Sequence, residues 1–130
     1  MQGFSPLQED AGAEIGAILK EYPKLSIVAT RGNALTTEHR RPGPLHILAG
    51  PKRSPLITTH TEFGVRYMID LEETFFSTRL AQERQRLCSV VVPGERVCVL
   101  FAGCGPEVLQ IAAHAAASSI LGVELNPVAV

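Results

Sequence analysis

The sequence predicts a mixed α/β chain in two parts: a small α+β module over residues 1–75 and, over residues 76–130, the first βαβ unit of a parallel sheet. Two observations carry the second part. The apolar run Val97–Phe101 leads into Gly103-Cys-Gly105, and the apolar run Ile120–Leu125 follows a helix-compatible segment. A strand, a glycine turn, a helix and a second strand is the opening of a doubly wound fold. The first part has short apolar runs separated by turn residues, which is typical of a small antiparallel sheet.

Composition places the chain among ordinary globular domains. It has 130 residues, 45% of them hydrophobic and 19% charged, which suits one domain. No apolar run approaches the roughly 18 residues that a membrane span needs, and the N-terminus does not resemble a signal peptide. Cys88, Cys98 and Cys104 are not at metal-ligand spacing, so we expect free thiols in a reducing compartment. We expect no membrane partner and a cytoplasmic location, with the nucleus and the mitochondrion left open.

The first part begins with a predicted helix. Ile15, Ile18, Leu19 and Tyr22 recur at helical spacing, and Pro23 ends the pattern. Four strands are predicted after this helix: Leu25–Thr30, Leu45–Ala49, Leu56–His60 and Val65–Ile69. Residues 31–44 are rich in Gly, Thr, Arg and Pro and predict a loop or irregular hairpin. The expected product is one small antiparallel sheet with one helix.

The second part begins with a predicted helix over Thr78–Val92, which Pro93-Gly94 ends. A second helix, Pro106–Ala117, starts with a proline at a position that tolerates it. The two strands that flank this second helix are apolar throughout, as are strands that are covered on both faces. Asn126-Pro127 then has the form of a helix cap and first turn.

Charge is unevenly distributed along a chain whose net charge is -1. Residues 20–53 carry a net charge of +5, because seven lysines and arginines oppose two glutamates. A basic segment can hold nucleic-acid phosphates. A solvated loop face explains the same pattern, and charge alone favours that explanation.

The glycine turn and the acid after it have the chemistry of a nucleoside site. Gly103 and Gly105 let the backbone turn sharply and approach a ligand closely. Glu124 lies 21 residues after Gly103, near the end of the next predicted strand, where a carboxylate can accept hydrogen bonds from ribose hydroxyls. A tight turn with a surface glutamate is the alternative that this pattern leaves open.

The residues after the turn argue against a nicotinamide dinucleotide. That cofactor's fingerprint requires a third glycine, where this chain has Val108. Its pyrophosphate also needs free backbone N–H groups at the helix start, whereas Pro106 has none and Glu107 adds a negative charge. S-adenosylmethionine carries no phosphate and is compatible with both residues.

Four blocks of the sequence carry a resemblance to a known family: Leu45–Gly50, Thr58–Asp70, Phe75–Arg84, and Phe101–Pro106 together with Val123–Pro127. In this order they resemble the class I tRNA (guanine-N1)-methyltransferases of the Met-10+-like group, which act on guanosine 37. Thr58–Asp70 is similar to a family pattern T-x-H-x-E-N-G-x-R…D, and Phe75–Arg84 to F-S-P-R-L-x-x-E-R. The similarity runs from about residue 14 to the C-terminus. It implies a Rossmann-like sheet, S-adenosylmethionine as cofactor and the anticodon region of tRNA as partner.

The resemblance also implies roles for individual residues. Arg79 matches an arginine beside the target guanine, where it can stabilise charge developing on O6. Arg84 matches a position next to the cofactor. The remaining cofactor-binding positions that the resemblance implies are Ala102, Gly103, Gly105, Glu124, Leu125 and Asn126. From the residues alone, an ordinary surface ion pair at the start of a helix is the favoured explanation for Arg79.

Several residues depart from the family pattern. Val99 stands where the family has an aspartate that organises the methionine end of the cofactor site. Thr78 replaces a proline, Glu107 an aromatic residue and Phe63 an asparagine. His60 matches the histidine of the pattern, with a structural or an RNA-contacting role left open. The later strands, which carry the family's guanine-pocket motif, are not among the 130 residues.

The sequence therefore predicts a family methyltransferase whose 130 residues alone are inactive. A catalytically dead RNA-binding or interaction module is one alternative, supported by Val99. A second is the related aminocarboxypropyl transferase of wybutosine synthesis, against which Arg79-Leu80 argues, because those relatives tend to have Gly-Asn there. We also expect self-association, because at least one edge of the unfinished sheet is left open.

Overall fold

The computed structural model describes residues 6–31 and 39–130. Its helices and strands are α1 Pro6–Glu21, β1 Val28–Arg31, β2 Leu45–Ala49, β3 Ile57–Glu62, β4 Val65–Asp70, α2 Ala81–Val90, β5 Arg96–Leu100, α3 Pro106–His114 and β6 Ser119–Val123. A 3-10 turn at Thr78–Leu80 leads directly into α2. Among these strands, β1 pairs with β2 and β3 with β4 in antiparallel ladders, and β5 pairs with β6 in a parallel one. The parallel pair joined through α3 confirms the predicted α/β class.

One compact unit comprises Met1–Asn33 and Gly43–Ser54, and holds α1, β1 and β2. The register of β1 and β2 shifts between Val28 and Ala29. Gly50 follows β2 with φ +97°, and any side chain there would collide with the backbone carbonyl of Ser26. Only glycine permits this approach of the two chain segments.

The second compact unit comprises Ala34–Pro42 and Pro55–Val130. It holds β3 and β4 together with all later elements, so the first-half strands form two separate ladders rather than the single small sheet that was expected. The segment between β2 and β3 contains Pro51 and Pro55, which cannot donate ladder hydrogen bonds. A domain boundary after residue 75 stays a prediction.

The hairpin of β3 and β4 is regular from Ile57 opposite Asp70 to Glu62 opposite Val65. Its two turn residues, Phe63 and Gly64, have φ of 48° and 81°, which is the pattern of a two-residue hairpin turn with two left-handed positions. The inner face of the hairpin supplies much of the core: Tyr67 and Ile69 are buried, as are Leu56, Cys88, Ala102 and Ile111 from the rest of the unit.

The parallel pair is covered on one face within the described residues. Val97 lies opposite Ile120 and Val99 opposite Gly122 on the side of α3, where Val108 approaches Gly122 closely. The other face carries Leu100 and Leu121, both 61% exposed, together with Cys98 and Val123. The apolar pattern of these strands is that of strands covered on both faces, but within the described residues α2 and α3 approach from one side only.

Element ends differ from the predictions by a few residues. The predicted helix over 78–92 begins as a 3-10 turn and ends at Val90. The predicted helix over 106–117 ends at His114, because Ala115 is extended. None of the described helices has the length and apolarity to cross a bilayer.

A candidate cofactor site at the ends of the parallel strands

The loop after β5 is a sharply folded turn. Phe101, Gly103 and Gly105 all have left-handed backbone, with φ of 58°, 57° and 77°. The N–H of Ala102 donates to the Val123 carbonyl at 3.0 Å, and the N–H of Gly105 donates to the Ala102 carbonyl at 2.9 Å. The first bond fixes the turn to the end of β6, and the second lies within the turn itself. Phe101 adopts its strained conformation while 88% exposed, a combination typical of functional sites.

Glu124 is the acid that stabilises this turn. One carboxylate oxygen, Oε2, accepts from the N–H of Gly103 at 2.7 Å, and Oε1 accepts from the N–H of Asn126 at 2.7 Å. The Asn126 hydrogen bond is the largest cause of a lowered pKa of Glu124. Burial is the next largest effect and raises this pKa, and the Gly103 and Leu125 N–H groups and the charge of His39 lower it further. The carboxylate is therefore ionised at neutral pH, with lone pairs left for ribose hydroxyls.

The turn suits a nucleoside without phosphate. The N–H groups of Gly103 and Gly105 are already bonded to Glu124 and Ala102. Pro106 supplies no N–H, and Glu107 places a carboxylate in the first turn of α3. At these positions a pyrophosphate would find no free N–H group and would meet a negative charge. The residues present therefore fit the adenosine part of S-adenosylmethionine and not a dinucleotide.

Leu125 and Asn126 extend the site beyond β6. The side chain of Leu125 is exposed beside Glu124 and is free for contact with a flat apolar ring. The side chain of Asn126 is buried instead: its Nδ2 donates to the Glu73 carbonyl at 2.7 Å, and its Oδ1 accepts from the N–H of Val128 at 3.1 Å. Asn126 thus organises the site through its backbone N–H and caps the turn after it, as the sequence predicted for Asn126-Pro127.

A loop over residues 71–77 lies against the turn. Asp70 starts this loop by accepting from the N–H groups of Glu72 and Glu73 through its carboxylate. Asn126 holds the Glu73 carbonyl, and a side chain at Gly103 would contact the Phe75 carbonyl. The loop is therefore fixed beside the turn, and it leads into the 3-10 turn that carries Arg79.

Arg79 is exposed at the middle of this 3-10 turn. Within the part of the chain that the structure describes, its side chain has no hydrogen bond or ion pair. An ordinary surface ion pair was the alternative explanation for this residue, and none of the described carboxylates supplies one. Its guanidinium is available to a substrate.

Arg84 is not exposed beside the turn but buried, with 1% of its side chain accessible. Its Nη1 donates to both carboxylate oxygens of Glu62 at 2.9 Å, its Nε to Glu107 at 3.1 Å and its Nη2 to the Ser77 carbonyl at 3.0 Å. The ring of Phe76 covers the guanidinium at 4.9 Å. In this conformation Arg84 has no exposed surface that could contact a cofactor. One of its partners, Glu107, nevertheless lies in the first turn of α3, directly after the glycine turn and Pro106.

Val99 faces a groove of about 540 Å³ beside α3, together with Val97, Ile111 and Glu107. The resemblance implied an acid at Val99, at the methionine end of the cofactor. Glu107 is a carboxylate that lines the same groove, but Arg84 already engages it. Glu95, just before β5, also lines the groove, so its carboxylate residues come from outside β5.

Sequence reasoning missed the polar residues beneath the site. Gln110 is fully buried, donates through Nε2 to Tyr67 Oη and to the Glu62 carbonyl, and accepts from Gln85 at 3.0 Å. Burial raises the pKa of Tyr67, against a smaller opposing effect of the Gln110 bond. His114 Nε2 reaches the carbonyl at the hairpin turn at 2.9 Å. A signal was present, because the α3 residues at 107, 110 and 114 are polar at helical spacing.

His60 lies in an aromatic cluster rather than at the turn, with its ring 6.4 Å from that of Tyr67 and 5.2 Å from that of Phe76. The described residues contain no group of three or more His, Cys, Asp or Glu side chains that could hold a metal ion.

Comparison with known proteins shows which proteins this chain is similar to. A family model described as the TRM5/TYW2 methyltransferase domain matches residues 58–130. The chain is 34% identical over 111 residues to the tRNA (guanine(37)-N(1))-methyltransferase 1 of Vitis vinifera, covering 85% of this chain and 17% of that protein. It is 34% identical over 118 residues to the methyltransferase Trm5b of Pyrococcus abyssi, covering 90% and 34%. It is also 35% identical over 74 residues to the tRNA(Phe) (4-demethylwyosine(37)-C(7)) aminocarboxypropyltransferase of Pyrococcus horikoshii, covering 57% and 26%.

Solved structures give the same relationship. A complex of aTrm5 with tRNALeu superposes with a TM-score of 0.77 at 31% identity, covering 93% of this chain and 34% of that one. The Methanocaldococcus jannaschii Trm5 in complex with adenosine superposes with a TM-score of 0.70 at 30% identity, covering 93% and 34%. The chain thus spans about a third or less of each of these relatives.

Proposed function

The chain belongs to the TRM5/TYW2 methyltransferase family, and on that premise we propose that its protein transfers a methyl group from S-adenosylmethionine to N1 of guanosine 37 in tRNA. The single observation that carries the proposal is the pairing of Glu124 with the Gly103 turn, next to the loop that presents Arg79. Relatives named for guanosine 37 methylation support the same reaction.

The residues around the turn divide the work of binding the cofactor. Glu124 accepts hydrogen bonds from the ribose hydroxyls, and Leu125 lies against the adenine. The turn from Ala102 to Gly105 forms the floor of the binding site. The cofactor supplies an electrophilic methyl group on sulfur. A relative of similar fold, the Methanocaldococcus jannaschii Trm5, has been solved in complex with adenosine, which supports the assignment of the adenosine part.

Arg79 is the residue proposed to act on the substrate base. Attack by guanine N1 requires loss of its proton, and negative charge then develops on O6. An exposed guanidinium without a protein partner can stabilise that charge. The base must leave the stack of the anticodon loop to reach the site, so we propose the anticodon region as the contacted part of tRNA.

Two other functions are favoured by particular observations. The similarity to an aminocarboxypropyltransferase favours a different transfer, in which the aminocarboxypropyl group on the sulfur of the same cofactor is moved instead of the methyl group. The Arg79-Leu80 pair argues against this second transfer, because Arg79 provides a guanidinium that can stabilise negative charge on O6 during methylation of N1. A binding module without catalysis is favoured by Val99, which leaves β5 without an acid at the methionine end.

We further propose that the isolated chain self-associates. The face of β5 and β6 opposite α3 exposes Leu100, Leu121 and Val123 side by side. Apolar sheet surface of this kind associates with other chains.

The decisive experiment replaces the matching third of the Pyrococcus abyssi relative with this chain and assays methyl transfer to unmodified tRNA. We expect one methyl group on N1 of guanosine 37 and none on a transcript with adenosine at that position. The isolated chain should give background. Nucleoside mass spectrometry separates the alternatives, because an aminocarboxypropyl product identifies the related transferase, and an unmodified but tRNA-binding chimera identifies the binding module.

A further inference from the structure

The network around Arg84 joins three segments that are far apart in sequence. Glu62 ends β3, Ser77 precedes the 3-10 turn and Glu107 lies in the first turn of α3, at sequence separations from Arg84 of 22, 7 and 23 residues. Each nitrogen of the guanidinium points to a different one of these segments. Such a fork geometry is available to arginine and not to lysine.

We propose that Arg84 is a positioning residue that fixes Arg79 relative to the glycine turn, and that it does not contact the cofactor. The inference rests on the proposed function in one respect, since it takes Arg79 and the turn as two halves of one site. Ser77 lies two residues before Arg79, and Glu107 lies two residues after Gly105. Arg84 therefore binds one residue close in sequence to Arg79 and one residue close in sequence to the glycine turn.

Burial supports positioning over direct binding. The side chains of Arg84 and Glu62 are 1% and 5% accessible, and Phe76 covers the guanidinium. A cofactor could reach Arg84 only after one of these partners had moved. The hydrogen bonds from Arg84 to the two carboxylates are also strong, because charge-assisted hydrogen bonds are shorter and stronger than neutral ones.

The charge balance shows why the network is rigid. One guanidinium serves two carboxylates, so Glu62 and Glu107 both depend on Arg84 for compensation. If Arg84 moved away, Glu62 would remain buried with only the His60 ring, at 4.0 Å, as a partner for its charge, which is costly. The conformation in which Arg84 bridges all three segments is therefore strongly favoured, and small displacements of Arg79, which would lower the rate of transfer, are suppressed.

The test cuts one connection at a time. Glu107→Ala removes the connection to α3 and leaves the Glu62 pair in place, whereas Glu107→Gln keeps an acceptor for Nε. Arg84→Lys keeps the charge but cannot reach all three partners. Glu83→Ala is the matched control, because Glu83 forms an exposed pair with Arg86 on the same helix, at 2.7 Å.

The readout is amide hydrogen exchange of the chain without cofactor or tRNA, so its outcome is independent of the proposed reaction. In Glu107→Ala and Arg84→Lys we expect about tenfold faster exchange at Leu80 and Gly105 together. Exchange at Gly94, whose N–H donates to the Ala116 carbonyl at 2.8 Å, should not change. Glu107→Gln should retain most of the protection, and Glu83→Ala should behave as wild type.

Three results would overturn the proposal. Equal acceleration at every amide, Gly94 included, would make Arg84 a general contributor to stability. Acceleration at Gly105 without Leu80 would show that the two segments are not coupled. No acceleration in Glu107→Ala would show that the connection to α3 does not constrain the turn.

Discussion

The Glu124 carboxylate accepts a hydrogen bond from the Gly103 N–H at 2.7 Å, joining two residues that are 21 positions apart. The same carboxylate binds the Asn126 N–H. One side chain therefore shapes the turn and also presents its charge at the mouth of the site. Any substitution at Glu124 tests both properties, and they can be separated by measuring affinity and stability independently.

Replacing Glu124 by alanine should weaken binding of adenosine or S-adenosylmethionine by about 1–3 kcal/mol, because a carboxylate–hydroxyl contact is lost. We expect weak affinity in the isolated chain from the outset, with titration calorimetry as the measurement. Glu95→Ala is the matched control, since Glu95 accepts from the Val92 N–H at 2.8 Å away from the turn. Tight binding that survives Glu124→Ala would place the ligand elsewhere.

Acid should weaken the turn. Hydrogen bonds lower the pKa of Glu124 below its ordinary value of 4.5, so its contribution to folding stability is complete above that value and is lost as the pH falls through the lower folded-state pKa. Thermal unfolding should therefore show wild type losing more stability below pH 4.5 than Glu124→Gln does. Parallel curves for the two proteins would mean that Glu124 has the same pKa in the folded and unfolded chains.

In the chimera with the Pyrococcus relative, Arg79→Ala should lower kcat by a factor of about 10²–10³, because a donor to developing charge is removed. Adenosine affinity should be unchanged, since Arg79 acts on the base. Arg96→Ala, an exposed arginine at the other end of β5, is the control. If Arg79→Ala raised KM alone, Arg79 would be a tRNA-binding residue instead.

Phe63→Asn should stabilise the chain by about 1 kcal/mol, because asparagine tolerates the left-handed backbone that costs a bulky residue energy. The φ of Phe63 is 48°, and the His114 bond to its carbonyl does not depend on the side chain. The measurement is the free energy of unfolding in denaturant. Phe63→Ala separates the causes: it retains the backbone strain, so an equal gain there would attribute the effect to loss of the exposed ring.

Leu100→Lys or Leu121→Lys should abolish concentration-dependent association, as both side chains lie on the exposed face of the parallel pair. Light scattering over a range of concentrations measures this. Met68→Lys is the control, because Met68 is 76% exposed on the hairpin. A wild-type monomer at every concentration, with a sharp thermal transition, would refute self-association.

Local patterns allowed much of this fold to be predicted. The alternation over Val65–Ile69 and the glycine turn after an apolar run depend on neighbours in sequence, and both elements appear in the expected places. The partners of Arg84 could not be predicted, because a charged residue on a helix is usually exposed and its partners lie 22 and 23 residues away. The start of α1 at Pro6 was missed, since the apolar spacing begins only at Ile15.

The loop over residues 71–77 is held through its main chain. Asn126 binds the Glu73 carbonyl, Arg84 binds the Ser77 carbonyl, and the Phe75 carbonyl lies against Gly103. Every residue type has such a carbonyl, so these three contacts do not depend on the side chains at positions 73, 75 and 77. The exposed ring of Phe75 can then be exchanged during evolution, or by an engineer, to alter what the protein recognises without rebuilding the framework that supports it.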